Sequence, residues 1–137
     1  MDAVEKLPQG KQPALRVVPM PADANQNGDI FGGWIMAQVD IAGGTLAGRV
    51  ARGRVATIAV KEFVFKQPVQ IGDLLSFYVD VERIGTTSIT VKVVCEVIRG
   101  ADPQKKVMVT EAQVVYVNVG DDGKPTPIKR RANAYSA

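Results

Sequence analysis

The sequence predicts an α+β domain in which one long helix is wrapped by a strongly curved antiparallel sheet. Three observations carry this expectation. Apolar positions recur at helical spacing through residues 34–50, the period then switches from 3.6 to 2, and only short turn-rich segments separate the apolar stretches that follow. The chain has 137 residues, 46% hydrophobic and 23% charged, which suits one packed core and is short for two. A single domain over residues 1–137 is expected, with irregular tails at 1–12 and 128–137.

The elements follow in order. Pro8-Gln9-Gly10-Lys11-Gln12-Pro13 argues against regular structure, and a short strand is predicted over residues 14–18. Residues 21–29 are crowded with Pro, Asn, Asp and Gly and read as a loop. Phe31-Gly32-Gly33 then leads into a predicted helix over 34–50, where Ile35, Val39, Ala42, Leu46 and Val50 share one face. Asp40 is the only charge between Trp34 and Gly48, and a helix this apolar on all sides is expected to be buried. Gly43, Gly44 and Gly48 each lower helix propensity by about 1 kcal/mol relative to alanine, a loss that close approach of another group would explain.

Strands are predicted over 55–65, 74–83, 87–99 and 105–119. In the third, Ile89, Val91, Val93, Cys95 and Val97 alternate with Thr90, Lys92 and Glu96, so one face is buried and the other partly wet. Four successive strands with hairpin-scale connections give an antiparallel sheet. At roughly 10 to 15 residues they exceed the usual strand length, and curvature around the helix accommodates them. A single open sheet of this kind has free edges, so a homodimer or a multiple of it is expected.

Composition excludes several chemistries. There is no histidine and only one cysteine, so neither a Ser-His-Asp nor a Cys-His hydrolase, a histidine-based dehydratase, an ordinary zinc site or an intrachain disulfide framework is available. The formal charge of +3 is a weak bias and, with aromatics at only 6%, does not describe a nucleic-acid surface. Lys124, Lys129, Arg130 and Arg131 read as a solvated tail or as cations for a small polyanion such as a nucleotide phosphate. Residues 1–8 include acidic side chains and no apolar h-region, and no run approaches the ~20 apolar residues that span a bilayer. A cytoplasmic protein without membrane contact is expected.

The chemistry centres on Asp40. An ionised carboxylate in an apolar helix is strongly penalised unless it is hydrogen-bonded, paired or open to a cavity. Two readings are open on position alone: a structural carboxylate satisfied by backbone amides or by Arg49 or Arg54, or a catalytic one. Gly32-Gly33 adds unpaired N–H groups at the helix start, suited to an anion or a developing oxyanion. Together these are the parts that acyl-transfer hydrolysis needs when histidine is absent. Cys95, Trp34, Met36 and Met108 read as core or pocket lining, and Asp29, Glu62, Asp73 and Glu111 as partners of turns and neighbours, with no metal-binding spacing.

The run from Asp23 to Asp40, Asp23-Ala24-Asn25-Gln26-Asn27-Gly28-Asp29-Ile30-Phe31-Gly32-Gly33-Trp34-Ile35-Met36-Ala37-Gln38-Val39-Asp40, resembles the signature of hotdog-fold acyl-CoA thioesterases of the YciA type. That type is related to the brain acyl-CoA hydrolase branch. Gly53-Arg54-Val55, Pro68-Val69-Gln70-Ile71-Gly72-Asp73 and Gly85-Thr86-Thr87-Ser88 extend the resemblance over nearly the whole chain. It implies a hotdog fold and hydrolysis of acyl-CoA to free acid and coenzyme A, with no cofactor beyond the coenzyme A of the substrate. Asp40 would be the general base or nucleophile, and Asn25 would approach it from a partner subunit. The amide near Gly33 would polarise the thioester, with Gly32 beside it. Gly85, Thr86, Thr87 and Ser88 would contact coenzyme A, with Arg54 and the basic tail as further candidates. The resemblance favours a trimer of dimers. The competing reading is a non-catalytic acyl-CoA-binding module on the same fold.

Overall fold

The computed structural model describes residues 11–129; the outer parts of both expected tails, including Arg130 and Arg131, lie outside the described residues. Along the chain come β1 (Leu15–Val17), a 3-10 turn (Pro21–Asp23), α1 (Gly32–Ala51), β2 (Arg54–Phe65), β3 (Leu74–Ile84), β4 (Ser88–Ile98) and β5 (Lys106–Val119). All five strands form one antiparallel sheet in the order β1-β3-β4-β5-β2. The helix lies on one face of it. Apart from shifts of one or two residues at the ends, each predicted element is present.

Core residues alternate along the strands as a half-buried sheet requires. Leu75, Phe77 and Val79 of β3, Ile89, Val91, Val93, Cys95 and Val97 of β4, and Ala112, Val114 and Tyr116 of β5 pack against Ile35, Val39, Ala42, Ala47 and Val50 of α1. Burial pushes the Cys95 thiol far above its ordinary range, so it behaves as a small apolar group.

Two expectations change. First, the sheet is not a simple meander: β2 pairs with β5 at the far edge, and residues 66–73 cross back to β3. Hydrophobic period indicates which face of a strand is buried but not which strand lies beside it. Second, α1 is not buried all round. Its Ile35–Val39–Ala42–Val50 face is in the core, whereas Ile41 is 54% exposed and Met36 41%. The neighbouring β2 is also open, with Ile58 58% exposed and Val60, Val64 and Phe65 exposed beside it. Two register shifts interrupt β2, between Thr57 and Ala59 and between Lys61 and Val64, and Glu62 takes a left-handed φ of 51° in the second. Such bulges increase local twist and curl the edge strand.

The crossover is anchored by charge. Arg99 donates from Nε to Asp73 Oδ1 (3.0 Å), from Nη2 to Oδ2 (2.8 Å) and from Nη2 to the Pro68 carbonyl (3.0 Å). The Gln70 amide also donates to Asp73 Oδ2 at 2.9 Å. Asp73 is buried while Arg99 keeps part of its side chain in solvent, an arrangement in which a bidentate pair is a net support. Asp73→Ala leaves the guanidinium and the Gln70 amide without their acceptor. It is expected to lower stability by about 2 kcal/mol in urea unfolding; an unchanged midpoint contradicts this role.

Candidate active site

The loop before α1 is built by its own side chains. The Asn25 amide donates to the Asp29 carbonyl (2.8 Å), the Gly28 amide donates to the Asn25 carbonyl (3.0 Å), and Ala24 bridges to Ile30. Gly28 sits at φ 86°, a conformation that glycine adopts without strain. Asn25 Oδ1 accepts from the amides of Asn27 (2.8 Å) and Asp29 (3.1 Å). Its oxygen is therefore engaged locally, and its Nδ2 group has no acceptor among the described residues. No hydrogen bond joins Asn25 to Asp40 within the chain.

The helix begins without a side-chain cap at Phe31, and its first closing bonds run from the Trp34 and Ile35 amides to the Phe31 carbonyl. The N–H groups of Gly32 and Gly33 have no acceptor among the described residues. They stand at the positive end of a 20-residue helix. A Cβ on Gly32 would lie 3.2 Å from the Phe65 ring, whereas Gly33 faces open space.

Asp40 lies two turns further on, about 10 Å along the axis, half-buried where α1 meets the open edge strand. Neither Arg49 nor Arg54 pairs with it; its partners are hydroxyls. Thr57 Oγ1 of β2 donates to Asp40 Oδ1 at 2.6 Å, and the Tyr116 hydroxyl of β5 lies 3.0 Å from the same oxygen and 2.8 Å from the Asp40 carbonyl. Burial, then the Asp40 charge and its hydrogen bond, push the Tyr116 phenol far above its ordinary range, so it stays protonated and remains a donor. Asp40 Oδ2 accepts nothing among the described residues. The carboxylate is thus gripped by one oxygen and free at the other.

Register places the remaining candidates. Thr57, Tyr116 and Ile89 occupy one row across β2, β5 and β4, and Ile84 of β3 continues it. One residue beyond that row lies Ser88, followed by the Gly85–Thr87 connection, with Arg54 at the same end of the sheet opposite Val119. The hairpin is clamped, since the Thr87 carbonyl accepts from Asn118 (2.7 Å), the Thr86 carbonyl from Ile128 (2.8 Å), and the Gly85 amide donates to the Ser88 carbonyl (2.7 Å). The hydroxyls of Thr86, Thr87 and Ser88 and the Arg54 guanidinium make no hydrogen bond among the described residues. Asp40, Arg54 and Gly85–Ser88 therefore share one end of the molecule. The Gly32–Gly33 amides, resting against Phe65, lie towards the other.

Thr57 and Tyr116 were not identifiable as site residues from sequence. They look like ordinary strand positions 17 and 76 residues from Asp40, and the one available signal is a hydroxyl-bearing residue within an apolar strand. Asp29, Glu62, Asp73 and Glu111 form no metal-binding group among the described residues. Glu111 pairs instead with Lys92 (2.8 Å) and Lys66 (3.2 Å). Among the described residues no helix is long and apolar enough to cross a membrane.

A helix wrapped by an antiparallel sheet, with a hydroxyl-held carboxylate downstream of a glycine-led helix start, defines a hotdog-fold thioester hydrolase. The sequence matches the thioesterase superfamily over residues 27–102. It is 43% identical over 130 residues to the acyl-CoA thioester hydrolase YciA of Salmonella typhimurium, covering 93% of this chain and 97% of that protein. The hexameric thioesterase of Yersinia pestis is similar in structure, with a TM-score of 0.85 at 40% identity, covering 91% of this chain and all (100%) of that one. The hexameric hotdog fold thioesterase of Campylobacter jejuni has a TM-score of 0.82 at 44% identity, covering 89% and 93%. The chain belongs to the thioesterase superfamily, in its branch of acyl-CoA thioester hydrolases.

Thr57→Val keeps the shape of the side chain and removes the 2.6 Å donor to Asp40. Thioester hydrolysis is expected to fall about tenfold with little change in thermal midpoint. Wild-type turnover in that variant would separate Thr57 from the chemistry.

Proposed function

We propose that the protein hydrolyses acyl-CoA thioesters with Asp40 as general base, in a site completed by a second copy of the chain. The observation that carries this is the carboxylate itself. It sits at an open seam, held through Oδ1 by two hydroxyls and unpartnered at Oδ2. A structural carboxylate in an ion pair would be held by a cation, and none pairs with Asp40 among the described residues. A non-catalytic binding module would have no need of an oriented base.

In this mechanism Oδ2 takes a proton from a water molecule as the water oxygen adds to the thioester carbonyl. The oxyanion is met by the amides of Gly32 and Gly33 of the partner subunit. Collapse of the tetrahedral intermediate breaks the carbon–sulfur bond, and the proton on Asp40 passes to the departing thiolate. A thiolate is a stable leaving group, so a strong general acid is not required, which fits a site without histidine. Water and the substrate are the only reactants. Coenzyme A arrives as part of the substrate and leaves as product.

Sheet geometry supports the second copy. β2 is a long edge strand with exposed Ile58, Val60, Val64 and Phe65, and Met36 and Ile41 of α1 are exposed beside it. Antiparallel pairing of two such edges about their middle sets the Phe65 end of one copy beside the Arg54 end of the other. The Gly32–Gly33 amides and Asn25 of the partner subunit then approach the Asp40 end of this one. The free Nδ2 of Asn25 is a donor for the water or the carbonyl. Arg54 and the hydroxyls of Thr86, Thr87 and Ser88, at that same end, are suited to the phosphates and pantetheine of coenzyme A. The solved relatives from Yersinia pestis and Campylobacter jejuni are hexamers, which supports assembly of such dimers in threes. A cytoplasmic location suits this substrate.

Asp40→Asn is expected to reduce thiol release from acyl-CoA by 1000-fold or more, about 4 kcal/mol of transition-state stabilisation, while coenzyme A still binds. Retained turnover would remove Asp40 from the mechanism. A single turnover in ¹⁸O-water is expected to label the acid product and not the enzyme; label in Asp40 would indicate direct attack by the carboxylate.

A further inference from the structure

We infer that Tyr116 is a positioning residue for Asp40, and that Gly43 is glycine because the Tyr116 hydroxyl occupies the space a side chain would need. The inference rests on Asp40 as the catalytic carboxylate and adds how it is held. Tyr116 stands on β5, 76 residues from Asp40, and is only 2% exposed. Its hydroxyl lies 3.0 Å from Asp40 Oδ1 and 2.8 Å from the Asp40 carbonyl oxygen, so one phenol spans the side chain and the backbone of the same residue. This fixes the carboxylate relative to the helix axis, whereas Thr57 ties it to the edge strand.

The approach is possible because the helix surface is cut away beneath the ring. A Cβ built on Gly43 would fall 2.5 Å from the Tyr116 hydroxyl oxygen and 3.2 Å from both a ring carbon and a Val91 methyl. On Gly44 it would lie 3.5 Å from the ring, an ordinary contact. The reduced helix propensity of the Gly43-Gly44 pair is therefore explained unequally: Gly43 is demanded by the phenol, and Gly44 is not. The ring belongs to the buried core, so a side chain at position 43 would move the hydroxyl off Asp40 and cost its contacts there.

The arrangement also leaves half of the carboxylate open. With Tyr116 and Thr57 both on Oδ1, one carboxylate oxygen is held by two hydroxyls and the other has no partner among the described residues. Among the described residues Tyr116 is the only titratable side chain hydrogen-bonded to Asp40. Thr57 from β2 is uncharged, Val91 from β4 is apolar, and no cation pairs with the carboxylate.

The test compares Tyr116→Phe, Gly43→Ala, the double variant and Asp40→Asn in steady-state acyl-CoA hydrolysis, with kcat and KM determined separately. Tyr116→Phe keeps the ring and is expected to keep the fold. Its kcat is expected to fall about tenfold with KM nearly unchanged. Gly43→Ala displaces the hydroxyl and is expected to reproduce that split, with the double variant no worse than Gly43→Ala alone, because both remove one interaction. If Gly43→Ala fails to fold, Tyr116→Phe decides alone. Wild-type kcat in Tyr116→Phe, or a fall matched by an equal rise in KM, with Asp40→Asn inactive, would overturn the positioning role and leave the catalytic reading intact. Full activity in Asp40→Asn would instead remove the reading on which the inference rests.

Discussion

A carboxylate carried by an apolar helix must be stabilised by something, and the choice of partner determines what it can do. Here the partners are two neutral hydroxyls on strands that meet the helix at the third turn, with no cation paired to it among the described residues. An arginine in their place would stabilise the charge more strongly and would quench it as a base. Hydroxyl donors, worth about 1.5–3 kcal/mol each toward a charged acceptor, hold the group in position and leave one oxygen without a partner among the described residues. Much of the local architecture follows. The ring of Tyr116 must reach the helix, so the helix must lack a side chain at Gly43, and Thr57, itself exposed, reaches Asp40 from the open edge strand.

That exposed strand is the second constraint. β2 leaves its natural neighbour in the chain and crosses to the far edge of the sheet, a path pinned by Asp73 and Arg99. One consequence is that the Asp40 seam opens at a free edge and not inside a continuous sheet. Another is that the amides at the helix start and the carboxylate lie toward opposite ends of β2. The proposed two-fold pairing of such edges would reconcile both facts, since it would cover the exposed apolar residues and bring opposite ends together. Symmetry of this isologous kind makes two equivalent sites from one surface.

Much of this was legible in the residues. The helix could be read from Ile35, Val39, Ala42 and Val50, and the inner face of β4 from the alternation between Ile89 and Val97, while Asp40 stood out by its isolation among apolar neighbours. The glycine pair at the helix start pointed to free amides, and Gly43 to an unexplained local loss. What could not be read was non-local. Strand order is set by which edges meet, so the crossover of β2 left no mark in its own periodicity. Thr57 and Tyr116 became meaningful only once register aligned them under Asp40. The apolar side of α1 that was expected to be buried is exposed at Met36 and Ile41, because hydrophobicity marks a surface that must be covered without saying which molecule covers it.

The sharing of one site between two copies is most directly tested by mixing defects. Co-expressed Asp40→Asn and Asn25→Ala chains form mixed dimers in which, if the site is composite, one of two sites carries both native residues. Random pairing is then expected to restore about a quarter of wild-type activity, well above either variant alone. A mixture no more active than its parts would place both residues in one chain's site and contradict the account.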